Sequence, residues 1–128
     1  MCANKLETLE NQHPQRDYTI SIESPEFTCL CPEKRDQPDF AVITLVYIPD
    51  KKLIELKSLK YYLTAYRNKE IYHEDATNCI YQDLLDALEP RYLKVTGDWN
   101  IRGGIKTIVE IKTPGEDSEN QISHYHKL

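Results

Sequence analysis

Alternating apolar and polar residues predict a first pair of strands in the N-terminal half of the chain. Residues 17–24 place Tyr18, Ile20 and Ile22 on one face, as expected for a strand with one buried side. Residues 40–48 are apolar and β-branched on both faces, which indicates a well-buried strand. The polar stretch between the two runs is predicted to be a loop.

A second pair of strands is predicted near the C-terminus. Residues 92–100 alternate, though less cleanly towards Trp99, and residues 105–112 form a β-branched run. The turn between them, residues 101–104, contains two glycines, which tolerate the positive φ angles of a tight hairpin turn.

Two helices are predicted between these hairpins. Residues 58–68 carry apolar side chains at helical spacing, with Ser58 as the N-cap. Residues 73–89 carry a longer apolar stripe, and Pro90 ends the helix because proline cannot continue the hydrogen-bond ladder. The stripes consist of Leu59, Tyr62, Leu63 and Tyr66 in the first helix, and of Ala76, Ile80, Leu84, Ala87 and Leu88 in the second.

The order β-β-α-α-β-β predicts an α+β fold with a four-stranded antiparallel sheet and both helices on one face. The predicted domain covers residues 17–112, between a loosely held N-terminal arm (1–16) and a polar C-terminal tail (113–128). An open sheet leaves two edge strands whose backbone groups can pair with another copy. We therefore expect a homo-oligomer.

Composition limits the function classes. The 128 residues include 40% hydrophobic and 29% charged residues, as in an ordinary globular domain. The net charge of −5 argues against a general nucleic-acid-binding protein, which usually presents a basic surface. We find neither a signal peptide nor an apolar run of about 18 residues, so we expect a cytoplasmic protein without a membrane span.

Cys31 is the first candidate for chemistry. A thiolate attacks electrophilic carbon, but an ordinary cysteine needs a nearby cation, base or helix N-terminus to ionise at neutral pH. Asp39 lies eight residues further along, where the chain could fold back and let the carboxyl shuttle protons. The alternative is structural: a buried cysteine at a strand end and an aspartate that caps a turn.

The sequence "HED", residues 73–75, is the second candidate. Acidic residues suit the first turn of a helix because of the helix dipole, which is the structural interpretation. Alternatively, the two carboxylate oxygens of Glu74 match the adjacent N–H groups of a guanine-like edge. His73 beside it could then donate a proton or a hydrogen bond.

Cations near the first helix form the third candidate. Lys57 and Lys60 share a face close to the predicted helix N-terminus, which can bind phosphate, and Arg67 and Arg102 could add charge. A solvated charged face is the structural alternative. No glycine-rich dinucleotide fingerprint is present, so a nicotinamide cofactor would bind outside a Rossmann fold.

A metal site receives little support from the cysteines. Cys29 and Cys31 could pair with His73 as ligands, but zinc sites use a C-x2-C or wider spacing. A C-x-C sequence without a second pair does not match this spacing. We therefore expect no metal ligands here.

Four short motifs together resemble those of the nitrile reductases of queuosine biosynthesis, the 7-cyano-7-deazaguanine reductases. The motifs are "LCP" followed by "QPDF", "ELKSLKYY", "HED" and "RGG", in the order and approximate spacing of the short, single-domain form. The resemblance covers about residues 16–112. It implies the tunnelling fold (T-fold) of GTP cyclohydrolase I, and a homo-oligomer of two stacked pentamers with active sites at subunit interfaces.

The same resemblance implies a reaction: two NADPH reduce the nitrile of 7-cyano-7-deazaguanine to an aminomethyl group, without a metal. Cys31 would be the nucleophile that forms a covalent thioimide, Asp39 would deliver protons, and His73 would lie over the reacting group. Implied substrate-binding residues are Ile54, Glu55, Leu56, His73 and Glu74, with Glu74 on the deazaguanine edge. Implied NADPH contacts are Lys57, Ser58, Lys60 and Arg102. Cys29 departs from the family pattern, which has a hydroxyl residue or similar at that position.

Two other functions are open at this point. A zinc-dependent T-fold hydrolase acting on a pterin or purine ring would contain stoichiometric metal and use no NADPH. A non-catalytic T-fold module that binds a purine would have no turnover for Cys31→Ala to abolish. Neither alternative needs Cys31, Asp39 and the "ELKSLK" segment together.

Overall fold

The computed structural model describes residues 5–113, which form a four-stranded sheet, a short strand pair and two helices. The large sheet is antiparallel throughout, with the strand order β2-β3-β5-β6, and β1 pairs with β4. The predicted order β-β-α-α-β-β is therefore confirmed, with β1 and β4 as additions. The elements are β1 (Thr8–Glu10), β2 (Ile20–Leu30), β3 (Pro38–Ile48), β4 (Lys52–Ile54), α1 (Leu56–Thr64), α2 (His73–Leu88), β5 (Tyr92–Arg102) and β6 (Ile105–Lys112).

One face of the sheet forms the core. Alternate residues of β3 and β5 are buried, and Leu45 of β3 lies between Ile22 of β2 and Val95 of β5 in the register. The apolar stripes of α1 and α2 join the same buried cluster. The helices therefore cover one face of the sheet, as the sequence predicts.

Strand β2 extends further than its pattern predicts. The alternation over 17–24 breaks at Pro25, and the register with β3 shifts between Ser24 and Phe27. Beyond this bulge the strand resumes, with Phe27 and Cys29 buried. The predicted loop is consequently shorter, because the chain stays paired as far as Leu30.

Helix α1 begins earlier than predicted because its cap is not Ser58. The carboxylate of Glu55 accepts hydrogen bonds from the backbone N–H groups of Lys57 (2.6 Å) and Ser58 (2.9 Å), so Glu55 is the N-cap. The helix ends at Thr64, before the predicted end, although Tyr66 remains fully buried beyond it.

Helix α2 matches its prediction closely. It runs from His73 to Leu88, and Glu89 caps it with a left-handed backbone (φ 46°) just before Pro90. In the β5–β6 turn, Gly103 and Gly104 have φ angles of 58° and 77°, as expected for a glycine hairpin turn. None of the helices within residues 5–113 is long and apolar enough to span a membrane.

The N-terminal segment, predicted as a loose arm, contains an unpredicted strand. Strand β1 pairs with β4, and Leu6 is buried in the core. Glu7 accepts a hydrogen bond from the Glu55 backbone (2.9 Å) and donates its own N–H to the Ser58 hydroxyl (3.0 Å). The segment therefore holds the start of α1. Apart from Thr113, the predicted C-terminal tail lies outside the described residues.

Candidate active site

Cys31 follows directly after β2, at the start of a loop that lies against the segment preceding α2. Its backbone N–H donates to the Gln37 carbonyl (3.0 Å) and closes the loop. Leu30 forms backbone hydrogen bonds with the segment before α2: its N–H donates to the Lys69 carbonyl (3.0 Å), and its carbonyl accepts from the Ile71 N–H (3.1 Å). The half-buried Cys31 is therefore held near the start of α2.

Two side-chain contacts hold the rest of this loop. Glu33 accepts a short hydrogen bond from the Tyr72 hydroxyl, one residue before α2. Arg35 forms an ion pair with Glu70 at 3.3 Å. Exposed contacts of this kind contribute little individually, but together they fix the loop against one segment.

Asp39 is a buried carboxylate, 4% exposed, on the core face of β3 opposite Cys29. Its two oxygens face different partners. Oδ2 lies 3.3 Å from Nε2 of His73, and Oδ1 lies 3.4 Å from Nε of Arg102. A carboxylate at this depth requires such partners, because an unpaired buried charge is costly.

His73 is the first residue of α2, and its ring lies flat against the indole of Trp99. The ring centroids are 4.2 Å apart and the planes differ by 5°. The sequence pointed to His73 but not to Trp99. The two residues are remote in the chain, and only the packing of α2 on β5 brings them together.

The two neighbouring cysteines, both free thiols, differ in environment. Cys29 is fully buried, and its burial, followed by the charges of Asp39 and Cys31, raises its pKa to about 12. Cys31 is partly exposed. A thiol must be accessible to react, so Cys31 is the accessible candidate and Cys29 is a core residue.

Glu74 lies beside this cluster on the exposed side of the first turn of α2. Its backbone carbonyl accepts a hydrogen bond from Asn78 (2.9 Å). Within residues 5–113 its carboxylate has no hydrogen-bond or ion-pair partner, so both oxygens are available to a ligand.

The "ELKSLK" segment forms a second group of candidate residues at the start of α1. Ile54 is buried and donates its backbone N–H to the hydroxyl of Tyr47 (3.0 Å). Leu56, Lys57 and Lys60 are exposed, whereas Ser58 is buried.

Two open cavities adjoin this segment. One of about 380 Å³ is lined by polar residues that include Glu55, Lys57 and Ser58. The other, of about 410 Å³, lies between β2 and α1 and has Lys60 and Arg67 on its wall. Each cavity has basic side chains on its wall, Lys57 in the first and Lys60 and Arg67 in the second, which could pair with an anionic ligand.

The structure places the predicted residues in two groups. Asp39 contacts both His73 and Arg102. Glu74 follows His73 in the sequence, and Cys31 lies two residues after Cys29, which pairs with Asp39. The second group is the "ELKSLK" segment. Within residues 5–113 no hydrogen bond or ion pair joins the two groups. Nor does this part of the chain contain three or more His, Cys, Asp or Glu side chains arranged to hold a metal.

Comparisons with known proteins agree on one family. A family model described as "QueF-like protein" matches residues 38–118. The NADPH-dependent 7-cyano-7-deazaguanine reductase of Halorhodospira halophila is 56% identical over 110 residues, covering 86% of this chain and 92% of that protein. The reductase of the same name from Aquifex aeolicus is 53% identical over 109 residues, covering 85% and 84%.

A solved structure is similar in fold. The apo form of an archaeosine synthase, QueF-Like, superposes with a TM-score of 0.69 and covers 77% of this chain and 95% of that one. Its sequence identity is 22%, so the likeness concerns the fold. It supports the α+β T-fold expected from the sequence.

Proposed function

Because the chain belongs to the family of NADPH-dependent 7-cyano-7-deazaguanine reductases, we propose that Cys31 activates the nitrile by forming a covalent thioimide with it. The protein is an oxidoreductase that uses NADPH to reduce the nitrile of 7-cyano-7-deazaguanine in the queuosine pathway. One observation carries the mechanistic proposal: Cys31 is a partly exposed free thiol directly after β2, the strand in which Cys29 pairs with the buried Asp39.

Covalent addition makes the nitrile reducible. The sulfur of the Cys31 thiolate forms a bond to the nitrile carbon, one π pair of the C≡N bond moves to nitrogen, and that nitrogen takes a proton. The product is a C=N group bound to sulfur, which accepts hydride more readily than a nitrile does. One difficult step is thereby divided into easier ones.

Asp39 and His73 are the groups we propose for proton delivery. Their side chains are within hydrogen-bonding range, at 3.3 Å, and Asp39 is shielded from solvent. A proton held between a carboxylate and an imidazole can move to a substrate atom that approaches either group. Arg102, on the other oxygen of Asp39, holds the carboxylate in place.

Glu74 is proposed to recognise the deazaguanine ring, and the Ile54-Glu55-Leu56 segment to complete the pocket. The unpartnered, exposed carboxylate of Glu74 can accept two parallel N–H bonds from a guanine-like edge. The carboxylate of Glu55 is engaged in capping α1. We therefore propose that Glu55 fixes the segment and that the backbone of 54–56 contributes to the pocket wall.

NADPH supplies the hydrides when it is bound. We propose Lys57, Ser58, Lys60 and Arg102 as its contacts, with the exposed Lys57 and Lys60 directed to the phosphates. The ammonium groups of the two exposed lysines, on the first two turns of α1, can pair with phosphate oxygens. Ser58 belongs to the same turn, although its hydroxyl is bonded to Glu7.

We also propose that the active site is completed between subunits of a homo-oligomer of two stacked pentamers. Two features support this: within residues 5–113 no hydrogen bond or ion pair joins the two groups of candidate residues, and edge strands β2 and β6 leave backbone groups for pairing. Mixing inactive Cys31→Ala with inactive Lys57→Gln/Lys60→Gln protein should restore activity if the groups act across an interface. The expected cytoplasmic location and the expected lack of a metal requirement stay predictions.

Turnover stoichiometry tests the proposed reaction. Purified protein should oxidise two NADPH for each 7-cyano-7-deazaguanine consumed, with or without a chelator, and Cys31→Ala should oxidise none. Oxidation of one NADPH per nitrile, or full activity of Cys31→Ala, would refute the scheme. Loss of activity in chelator, restored by zinc, would instead favour a metal-dependent T-fold enzyme.

A further inference from the structure

The imidazole of His73 is fixed on two sides by different interactions. At its Nε2 atom it meets Asp39, and across its face it stacks on Trp99 with an interplanar angle of 5°. Trp99 itself is fully buried, whereas the His73 side chain is 21% exposed. The partly exposed ring therefore rests on a fully buried one.

The indole of Trp99 is itself held by neighbours that reach back to His73. Its Nε1–H donates to the hydroxyl of Thr77 (3.3 Å), and that hydroxyl donates to the backbone carbonyl of His73 (2.8 Å). Gly97 leaves room for the contact between Thr77 and Trp99, because a Cβ at this position would lie 2.7 Å from both Thr77 Oγ1 and Trp99 Nε1. The indole, the first turn of α2 and strand β5 thus form one connected unit.

A hydrogen bond alone would not determine the plane of the His73 ring. The terminal torsion of histidine has a broad energy profile, so the ring can pivot about its contact with Asp39. Stacking on a buried indole restricts this pivot. Proton transfer depends on the direction of the ring nitrogen, and misplacement by about 1 Å can cost roughly 100-fold in rate.

We propose that Trp99 is a positioning residue for the nitrile reduction: through its parallel stack it sets the plane of His73 and thereby the direction of the Asp39–His73 proton path. This inference rests on the proposed role of His73. Because Trp99 is fully buried, we expect it to act through the imidazole and not on the substrate directly. Its contribution should therefore vanish when His73 is absent.

A double-mutant cycle tests this dependence. Trp99→Leu should lower kcat by about 10- to 100-fold while changing the KM for the nitrile less than threefold. Trp99→Phe, which keeps an aromatic face, should recover most of the rate. In the His73→Ala background, Trp99→Leu should lower kcat no further. Equal effects of Trp99→Leu with and without His73 would overturn the inference.

Two further variants separate positioning from general loss of packing. Gly97→Ala leaves both rings intact but displaces the indole, so it should lower kcat as Trp99→Leu does. Leu93→Ala creates a cavity on the core face of the same strand, away from His73, and should leave kcat within twofold. A similar kcat loss in Leu93→Ala would assign the effect to stability and overturn the inference.

A substrate-free measurement keeps this result distinct from failure of the proposed function. Trp99 is the only tryptophan of the chain, so its fluorescence reports on the stack. Contact with the imidazole changes the environment of the indole, so the emission of Trp99 should differ between the wild type and His73→Gln at the same pH. Identical emission spectra would show that the stack is absent and would overturn the inference. A difference in emission without nitrile reduction by the wild type would refute the proposed function, and with it the role of Trp99.

Discussion

The guanidinium of Arg102 forms an ion pair with the buried carboxylate of Asp39, with Nε 3.4 Å from Oδ1. A second nitrogen of the same guanidinium donates a short hydrogen bond to the Pro38 carbonyl, one residue earlier. The arginine thus braces both the side chain and the backbone at the start of β3. Because Arg102 lies at the end of β5, it links the hairpin turn that follows to Asp39, one of the two residues proposed for proton delivery.

Replacing Arg102 should therefore affect chemistry as well as cofactor binding. We expect Arg102→Gln to lower kcat about tenfold or more, since Asp39 loses a partner that orients it for proton transfer. The KM for NADPH should rise too, if Arg102 also faces the phosphates. Steady-state kinetics with each substrate varied in turn would separate the two effects.

Arg91→Gln is the matched control, because it removes an exposed arginine from ion pairs with Asp17 and Asp50, at the end of β5 opposite Arg102. Its kcat should stay within twofold of the wild type. If Arg102→Gln changed only the KM for NADPH, the pair with Asp39 would have no part in the chemical step.

The two cysteines of the "CLC" sequence should differ in reactivity. Burial and nearby negative charges raise the pKa of Cys29 to about 12, so only about one molecule in 10,000 would carry the thiolate at pH 8. Raising the pH towards 12 would increase this fraction, and lowering it would suppress the fraction further. Iodoacetamide at pH 8, followed by peptide mass mapping, should therefore label Cys31 and leave Cys29 unmodified.

Activity should follow the same division. Cys29→Ala keeps the partly exposed thiol and should retain turnover within about fivefold, whereas Cys31→Ala should be inactive. Comparable alkylation of both cysteines in folded protein would contradict the assignment of Cys29 to the core.

Glu74 and Asp75 offer a matched pair of acidic residues in the first turn of α2. Both suit the helix dipole, but only Glu74 is proposed to pair with the deazaguanine edge. Glu74→Ala should raise the Kd for the nitrile by about 10- to 100-fold, since charge-assisted hydrogen bonds contribute roughly 1.5–3 kcal/mol. Isothermal titration of Cys31→Ala protein measures this Kd without covalent reaction.

In the same titration, Asp75→Ala should bind the nitrile within threefold of the parent. Normal binding by Glu74→Ala would remove its role in edge recognition. Equal weakening by both variants would point to the helix N-terminus rather than to one carboxylate.

A buried hydroxyl–carboxylate contact between the helices should contribute to stability. Tyr62 of α1 donates to Asp83 of α2 at 2.5 Å and also bonds the hydroxyl of Tyr66 at 2.9 Å. Burial and Asp83 raise the pKa of Tyr62, so it stays a protonated donor into the alkaline range. Tyr62→Phe should lower the free energy of unfolding by about 1–3 kcal/mol, because Asp83 loses a donor in the interior.

Tyr66→Phe serves as its control, since it removes only the hydroxyl–hydroxyl bond. Its cost in urea denaturation should be smaller, about 0.5–1.5 kcal/mol. If Tyr66→Phe were the more destabilising variant, the contact with Asp83 would not be the main link between α1 and α2.

The long elements with regular periodicity could be predicted from sequence. Helix α2 and strand β6 agree with their predictions to within one residue, because each repeats one pattern without interruption. Strand β2 was truncated in the prediction because the bulge at Pro25 interrupts its alternation. Strands β1 and β4 are three residues each, too short for any period to emerge.

The candidate site was only partly accessible to sequence reasoning. Individual residues such as Cys31, Asp39 and His73 came from motifs, but motifs carry no contacts. That Arg102 contacts Asp39, and that Trp99 stacks on His73, depends on the pairing of β5 with β3 and on its packing against α2. Gly97, two residues before Trp99, is the one available signal, since a glycine inside a strand often marks a place of close approach.

The central claim is that Cys31 bonds covalently to the nitrile, and intact mass spectrometry tests it most directly. Fully reduced protein is mixed with 7-cyano-7-deazaguanine in the absence of NADPH. We predict a mass increase equal to one nitrile per chain in the wild type and in Cys29→Ala, and none in Cys31→Ala. No increase in the reduced wild type, or an increase that persists in Cys31→Ala, would contradict the covalent mechanism.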